Sequence, residues 1–275
     1  VYKNRIKSIA IGSFDGIHVA HQRLILEAEA VVIIERNSGY LTSGFKRSKF
    51  TNRPCYFYHF ESIKALDPQA FVEMLKVDFP YLEKIVVGYD FHFGKNKAGN
   101  AEMLRSLCDK EVMVIDEVSL KGISVHSRTI KNYISSGNMT LANALLGREY
   151  HIEGSIIRGQ GLGKKSLVPT LNLEVQEYIL PLAGVYATLT VIDGLIYESV
   201  SFLGHRVTTD GVYAIETHIL DKDLGEVKGK IKLVFIAFLR ANQKFESLEI
   251  LKAQITQDIA QAKEVLDKGD SHGKR

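Results

Sequence analysis

The chain has 275 residues, 45% of them hydrophobic and 24% charged, with a formal net charge of +3 at pH 7. That length allows two domains with a core each, and so small a net charge lacks the concentrated basic face that nucleic-acid binding requires. Cys55 and Cys108, the only two cysteines, lie far apart, so neither a disulfide framework nor a zinc site is expected and both read as reduced core residues of a cytoplasmic protein.

Short apolar runs at Ile9 to Ile11, Val31 to Ile34, Cys55 to Tyr58, Ile85 to Val87 and Val112 to Ile115 alternate with helical stretches. That is the order of a parallel sheet wrapped by helices. Directly after the first run comes GSFDGIHVAH, Gly12 to His21. Gly12 and Gly16 permit a tight turn and a close backbone approach. His18 and His21, three apart, share one face of a first helical turn, where unpaired N–H groups and the helix dipole favour anions. Spacing alone leaves two readings open, a phosphate site or a strand-to-helix turn with two solvated histidines. The polar stretch from Arg36 to Arg53 contains Lys46, Arg47, Lys49 and Arg53 and reads as a mobile loop. Asp67-Pro68 supplies an N-cap and a first-turn proline for one helix, and Asn100 caps another.

Near Gly147 the pattern becomes strand-like, with closely spaced runs at Ile152 to Ile157, Val185 to Ile192, Leu195 to Leu203, Val212 to Leu220 and Ile231 to Phe238. Asp193-Gly194 between two of them is a hairpin signal, and a small barrel is the natural closure. From Ser247 a last helix carries Leu248, Leu251, Ile255, Ile259, Ala262 and Leu266 on one stripe. The fold class expected is α/β followed by all-β, with domains at residues 1–148 and 149–275. Residues 1–148 hold 20 Lys and Arg against 15 Asp and Glu, whereas 149–275 hold 15 against 17. A mildly positive first half suits polyphosphate substrates. No stretch resembles a signal peptide, and no apolar run reaches the roughly 18 residues of a membrane span, so no membrane partner is expected. Val1 is not a methionine, and native residues are expected to precede it.

GSFDGIHVAH resembles the HxGH signature of nucleotidylyltransferases, and later segments extend the likeness to one family, bacterial bifunctional riboflavin kinase/FAD synthetase. GYDFHFGKNKAG (Gly88 to Gly99) is similar to the family's GxDFxFGxxRxG, and VHSRTIK (Val125 to Lys131) occupies the place of its SSTxIR motif. GREY follows at 147 to 150, and GQGLGKKSLVPTLNL (Gly159 to Leu173) resembles the kinase's GxxxGRxLGFPTANL. LPLAGVY, AIETHIL and LRANQKF then come in the family's order. Such order and spacing over about 250 residues are hard to reach by chance.

The resemblance implies a Rossmann-like nucleotidylyltransferase domain, then a riboflavin-kinase-like β-barrel with a C-terminal helix. It implies an enzyme that phosphorylates riboflavin to FMN and adenylylates FMN to FAD, using ATP and Mg2+. In the first half it assigns His18 and His21 to the reacting phosphates. Gly12, Phe14, Asp15 and Gly16 then shape the nucleotide pocket, with Gly88, Asp90 and Phe91 beside them and Ser127 and Lys131 approaching the triphosphate. In the second half it puts Glu216 in the role of base, Thr170 and Asn172 as oxygen ligands of magnesium, and Gly159, Gly163 and Lys164 in the phosphate loop. Pattern alone leaves Glu216 a polar residue on a strand face and the glycine-rich stretch an ordinary turn.

The sequence also departs from the family pattern. Ala20 replaces a glycine, and Ile34-Glu35-Arg36-Asn37 stands where a Pro-His-Pro segment is usual. Lys131 replaces a guanidinium with a point charge, Leu167 replaces glycine, and Val207 replaces proline. Two alternatives therefore stay open at this stage: a nucleotidylyltransferase acting on another phosphate acceptor, or a flavin-binding protein with one or both activities lost. Oligomeric state is not legible in the sequence.

Overall fold

The computed structural model describes residues 5–36, 40–158, 168–208 and 210–270, the side chains of 269 and 270 excepted. The chain separates into two compact units, Val1–Thr129 and Ile130–Arg275.

The first unit is built on five parallel strands, β1 (Ser8–Gly12), β2 (Ala30–Glu35), β3 (Cys55–His59), β4 (Lys84–Gly88) and β5 (Glu111–Ile115), in the order β3-β2-β1-β4-β5. All five coincide with the apolar runs. The central strands read as continuous Val and Ile because both faces are covered. Alternate residues go to opposite sides. Ile9, Ile11 and Val87 pack with Phe71 and Leu75 of α3 (Pro68–Asp78) and Leu104 of α4 (Ala101–Leu107), while Ala10, Val31, Ile33 and Val86 pack with Leu24 and Ile25 of α1 (Val19–Leu26). The caps are those expected: the Asp67 carboxylate accepts from the Ala70 N–H and the Asn100 side chain from Met103 N–H, both at 2.8 Å. The strand order reverses between β1 and β4. In an open α/β sheet the crevice outside the carboxyl ends of such a pair is where ligands bind, and Gly12 and Gly88 end those two strands.

The polar stretch from Arg36 to Arg53 departs from the expectation of a mobile loop. Residues 37–39 lie outside the described set, but Gly44–Phe50 forms a 3-10 helix whose Arg47 is 1% exposed. The cation is held because its donors are used: Nε donates to Thr42 O at 2.9 Å, Nη1 to Ser13 O at 3.0 Å and Nη2 to Glu35 Oε1 at 2.9 Å. A charged side chain counted as loop polarity is in fact the centre of the segment's packing.

In the second unit, α6 (Met139–Leu146) is tied to the strands that follow by Asn143, whose amide donates to Phe235 O at 2.9 Å and accepts from Tyr150 N–H at 2.8 Å. Six antiparallel strands close a barrel: β6 (Tyr150–Ile157), β7 (Leu171–Val175), β8 (Gly184–Ile192), β9 (Leu195–His205), β10 (Tyr213–Ile219) and β11 (Lys230–Ala241), in the order β6-β7-β10-β9-β8-β11. Five of these match strand-like runs in the sequence. The sixth, β7, was not separated out, since it is five residues long with polar Asn172 and Glu174 in it. Asp193 and Gly194, with φ of 50° and 82°, make the two-residue turn between β8 and β9, the left-handed pair such a hairpin needs.

The barrel's interior is partly polar. Thr188, Thr190, Ser199, Ser201 and Thr217 are all buried, and their hydroxyls bond one another at 2.7 to 3.2 Å. A hydroxyl both donates and accepts, so such a cluster satisfies itself without water. The other face of the same strands, through Val185, Ala187 and Val200, packs against Ala262 and Leu266 of the last helix, α7 (Leu248–Asp270). Asp258 anchors that helix, accepting from Arg240 Nε at 2.8 Å and Nη2 at 2.7 Å. No helix among the described residues is long and apolar enough to cross a membrane.

Candidate functional sites

The first site forms where β1 hands over to α1. Phe14 and Ile17 have φ of 48° and 42°, and Gly16 has 89°. Such values strain a bulky or β-branched residue by about 1–3 kcal/mol each. What holds the turn in that path is burial, because Phe14 and Ile17 are both fully enclosed in the core. His18 is the N-cap of α1, and its Nδ1 accepts from the His21 N–H at 3.3 Å. A ring nitrogen that accepts carries no proton, so the proton of the neutral imidazole sits on Nε2. The two rings stack with centroids 3.5 Å apart and planes 16° from parallel, and Phe14 lies 5.0 Å from His21. The paired histidines therefore stand together at the positive end of a helix, outside the end of β1.

Asp15 is buried and turned inward. Its Oδ1 accepts from Leu41 N–H at 2.8 Å and Thr42 N–H at 3.2 Å, and its carbonyl accepts from Ser127 Oγ at 2.8 Å. With Arg47 on the Ser13 carbonyl, the loop is fixed from three sides. Ser127, at the start of α5 (Ser127–Ser135), thus reaches the loop itself, and Lys131 follows one turn later, half-buried. At the end of β4, Asp90 is exposed, whereas Phe91 is buried and stacks on Phe93 at 5.6 Å. Phe91 is in this respect part of the core.

His126, inside the VHSRTIK segment, stands in a polar cluster next to these residues. Its Nε2 is 3.0 Å from the Tyr89 hydroxyl and 3.8 Å from Glu117, and its Nδ1 is 3.9 Å from Asp90. Ser124 also donates to Glu117. The hydrogen bond from Ser124, with smaller contributions from Tyr89 and His126, holds the Glu117 carboxyl below its ordinary range.

The second site lies on the barrel. Asn172 and Glu216 are directly opposed on β7 and β10, next to the pair Leu171 and Thr217. Opposed residues share a face. Thr217 belongs to the interior hydroxyl cluster, so Asn172 and Glu216 project together from the outside. Pro169, just before Thr170, is tied to the same strand by its carbonyl, 2.7 Å from His218 Nδ1. Burial pushes the Glu216 carboxyl above its ordinary value, against the pull of Arg206, whose Nη1 donates to Glu216 Oε1 at 3.0 Å. Nothing in the sequence marks Arg206 beyond its place beside Val207, one of the departures from the family pattern. Gly159, Gly163, Lys164 and Leu167 lie outside the described residues.

Comparison with known proteins meets the two units in the same order. The FAD synthetase family model matches residues 49–129 and the riboflavin kinase model residues 146–266, which defines a two-domain flavin nucleotide transferase. The chain is 29% identical to the bifunctional riboflavin kinase/FMN adenylyltransferase of Pseudomonas fluorescens, over 92% of this chain and 91% of that one. It is also 29% identical to the enzyme of the same description from Listeria monocytogenes, over 92% and 90%. A crystal structure described as a macrolide-efflux protein from Streptococcus pneumoniae superposes with a TM-score of 0.82, at 24% identity and over 94% and 95% of the two chains; that likeness is one of fold. Along its length the chain thus carries a FAD synthetase segment followed by a riboflavin kinase segment, the order of the bifunctional enzymes it is similar to.

Proposed function

We propose that this chain makes FMN from riboflavin and FAD from FMN, each step using ATP, with a separate site for each step. The observation that supports the reading is that each unit brings together the pair assigned to its step, His18 with His21 outside β1 and Asn172 with Glu216 on the barrel. The division of labour we assign is 1–148 for adenylylation and 149–275 for phosphorylation; it is one of activity, while the compact packing units divide between Thr129 and Ile130. A cytoplasmic location goes with these small-molecule substrates.

In adenylylation an FMN phosphate oxygen bonds to the α-phosphorus of ATP as the bond to the β-phosphate oxygen breaks, and pyrophosphate leaves with the electron pair. The protein's task is to hold two anions in line and to neutralise charge that grows in the transition state. His18 and His21 take that role, the strained and buried Phe14 to Ile17 turn fixing their direction. Gly12 and Gly88 leave room at the strand ends, and Ser127 and Lys131 face the triphosphate.

In phosphorylation the riboflavin 5′-hydroxyl attacks the γ-phosphorus, its proton passes to Glu216, and ADP leaves. A primary alcohol is a weak nucleophile, and a carboxylate held partly out of water is a better base than an exposed one. Mg2+ fits the donors at this site, since Thr170 and Asn172 offer only oxygen and magnesium takes few protein ligands beside substrate phosphates. Bound there, it neutralises the phosphates of ATP. Gly159, Gly163 and Lys164 are proposed to complete the phosphate loop. Two product assays test the reading: pyrophosphate released from FMN with ATP, and ADP released from riboflavin with ATP. A protein that binds FMN or FAD tightly and releases neither product contradicts it.

A further inference from the structure

Glu216 does not stand alone on the outside of the barrel. Arg206, at the end of β9, donates from Nη1 to Glu216 Oε1 at 3.0 Å, and its other edge is taken by Asp210, with Nε 3.1 Å from Oδ1 and Nη2 3.0 Å from Oδ2. The fork on Asp210 is the two-point geometry that fixes a guanidinium plane. Asp210 is itself fixed, Oδ1 accepting from Val212 N–H at 3.0 Å, and the turn is closed by Arg206 N–H on Val212 O at 3.0 Å and Gly211 N–H on Arg206 O at 3.1 Å. Arg206 is only 17% exposed and Glu216 21%. The turn between β9 and β10 therefore presents a preset chain, Asp210 to Arg206 to Glu216, in which one carboxylate oxygen is already committed.

We propose that Arg206 is a positioning residue for riboflavin phosphorylation: clamped by Asp210, it fixes Oε1 of Glu216 and so turns Oε2 toward the substrate hydroxyl. This rests on Glu216 as the proton acceptor. The 5′-oxygen bonds to the γ-phosphorus while its proton passes to Oε2, and the bond to the β-phosphate oxygen breaks with its electron pair going to ADP. A carboxylate free to rotate presents the accepting oxygen only part of the time, and small misplacements of a reacting group are costly in rate. Arg206 acts through Glu216, so its removal lowers kcat and leaves substrate affinity alone.

The test is steady-state kinetics of riboflavin phosphorylation by the full chain carrying Arg206→Ala, Arg206→Lys, Glu216→Gln, or Arg206→Ala with Glu216→Gln. Arg206→Ala is expected to lower kcat about 10- to 100-fold with both KM values within about twofold of wild type, because the lost contribution is part of that of the base. Arg206→Lys restores part of the rate, since an ammonium meets one carboxylate as a point charge but cannot fork. On the Glu216→Gln background Arg206→Ala adds no further loss. Unchanged kcat in Arg206→Ala, a loss confined to the KM for ATP, or losses that multiply in the double variant each overturn the proposal while leaving Glu216 as base. Full kinase activity in Glu216→Gln overturns both. If Arg206→Ala melts below the assay temperature, Arg206→Lys decides: reduced kcat at unchanged KM supports the positioning role, and wild-type kcat overturns it.

Discussion

Arg47 and Glu35 form an ion pair at 2.9 Å with the guanidinium 1% and the carboxylate 11% exposed, bridging the 3-10 helix to the end of β2. The same guanidinium donates to the carbonyl of Ser13, inside the turn that carries the histidines. Glu35, in one of the segments that depart from the family pattern, thus pairs with the residue that holds the turn of the first site. Arg47→Ala leaves the largely buried Glu35 carboxylate, the buried Thr42 carbonyl and the Ser13 carbonyl without this donor, and is expected to cost about 3–5 kcal/mol of the first unit's stability. The check is the urea midpoint for loss of each activity: FMN adenylylation falls at a lower urea concentration, while riboflavin phosphorylation keeps its midpoint.

Replacing both His18 and His21 with alanine is expected to abolish FAD formation from supplied FMN and to leave FMN formation near wild type. Loss of one preorganised transition-state donor typically costs about 100-fold or more. Adenylylation within a few-fold of wild type in the double variant contradicts the role given to the stacked pair.

The reciprocal variant is Glu216→Gln, which keeps the side chain's shape and removes the base. FMN formation should drop by about 100-fold or more, the usual range for a general base, with conversion of supplied FMN to FAD unaffected. Rates of both half-reactions on one preparation make the comparison internal.

His151, on β6, carries a pH dependence of stability. Burial, with Lys232 and Arg148 nearby, pushes its pKa down to about 4 from 6.5. The folded state keeps the ring neutral where the unfolded chain binds a proton, so the residue's contribution is full above pH 6.5 and is lost as pH falls toward 4. The slope between those values approaches, at most, about 1.4 kcal/mol per pH unit. Denaturant unfolding of the barrel at pH 7, 6 and 5 reads it, and His151→Gln should flatten the dependence; an equal slope in that variant assigns it elsewhere.

Much of this was legible in the chain. The five parallel strands and five of the barrel strands follow from apolar runs and turn residues, because burial on one or two faces leaves a period that survives in the sequence. The histidine pair was visible at i, i+3, as was the hairpin at Asp193-Gly194. What was hidden is what depends on contacts between distant residues. Arg47 looks like any loop cation until Ser13, Thr42 and Glu35 surround it. Arg206 is one polar residue in a turn until β10 brings Glu216 beside it. Asp15, expected to shape a pocket, is turned inward onto the backbone of Leu41 and Thr42, the nearer partner 26 residues away and announced by no local pattern.

The central claim is that one chain performs two successive reactions at two separate sites. Chromatography of the flavins over time, after mixing the full chain with riboflavin, ATP and Mg2+, tests it most directly. The account predicts that riboflavin declines, FMN rises first, and FAD follows at the expense of FMN. Riboflavin that stays unchanged while supplied FMN also fails to give FAD would contradict it.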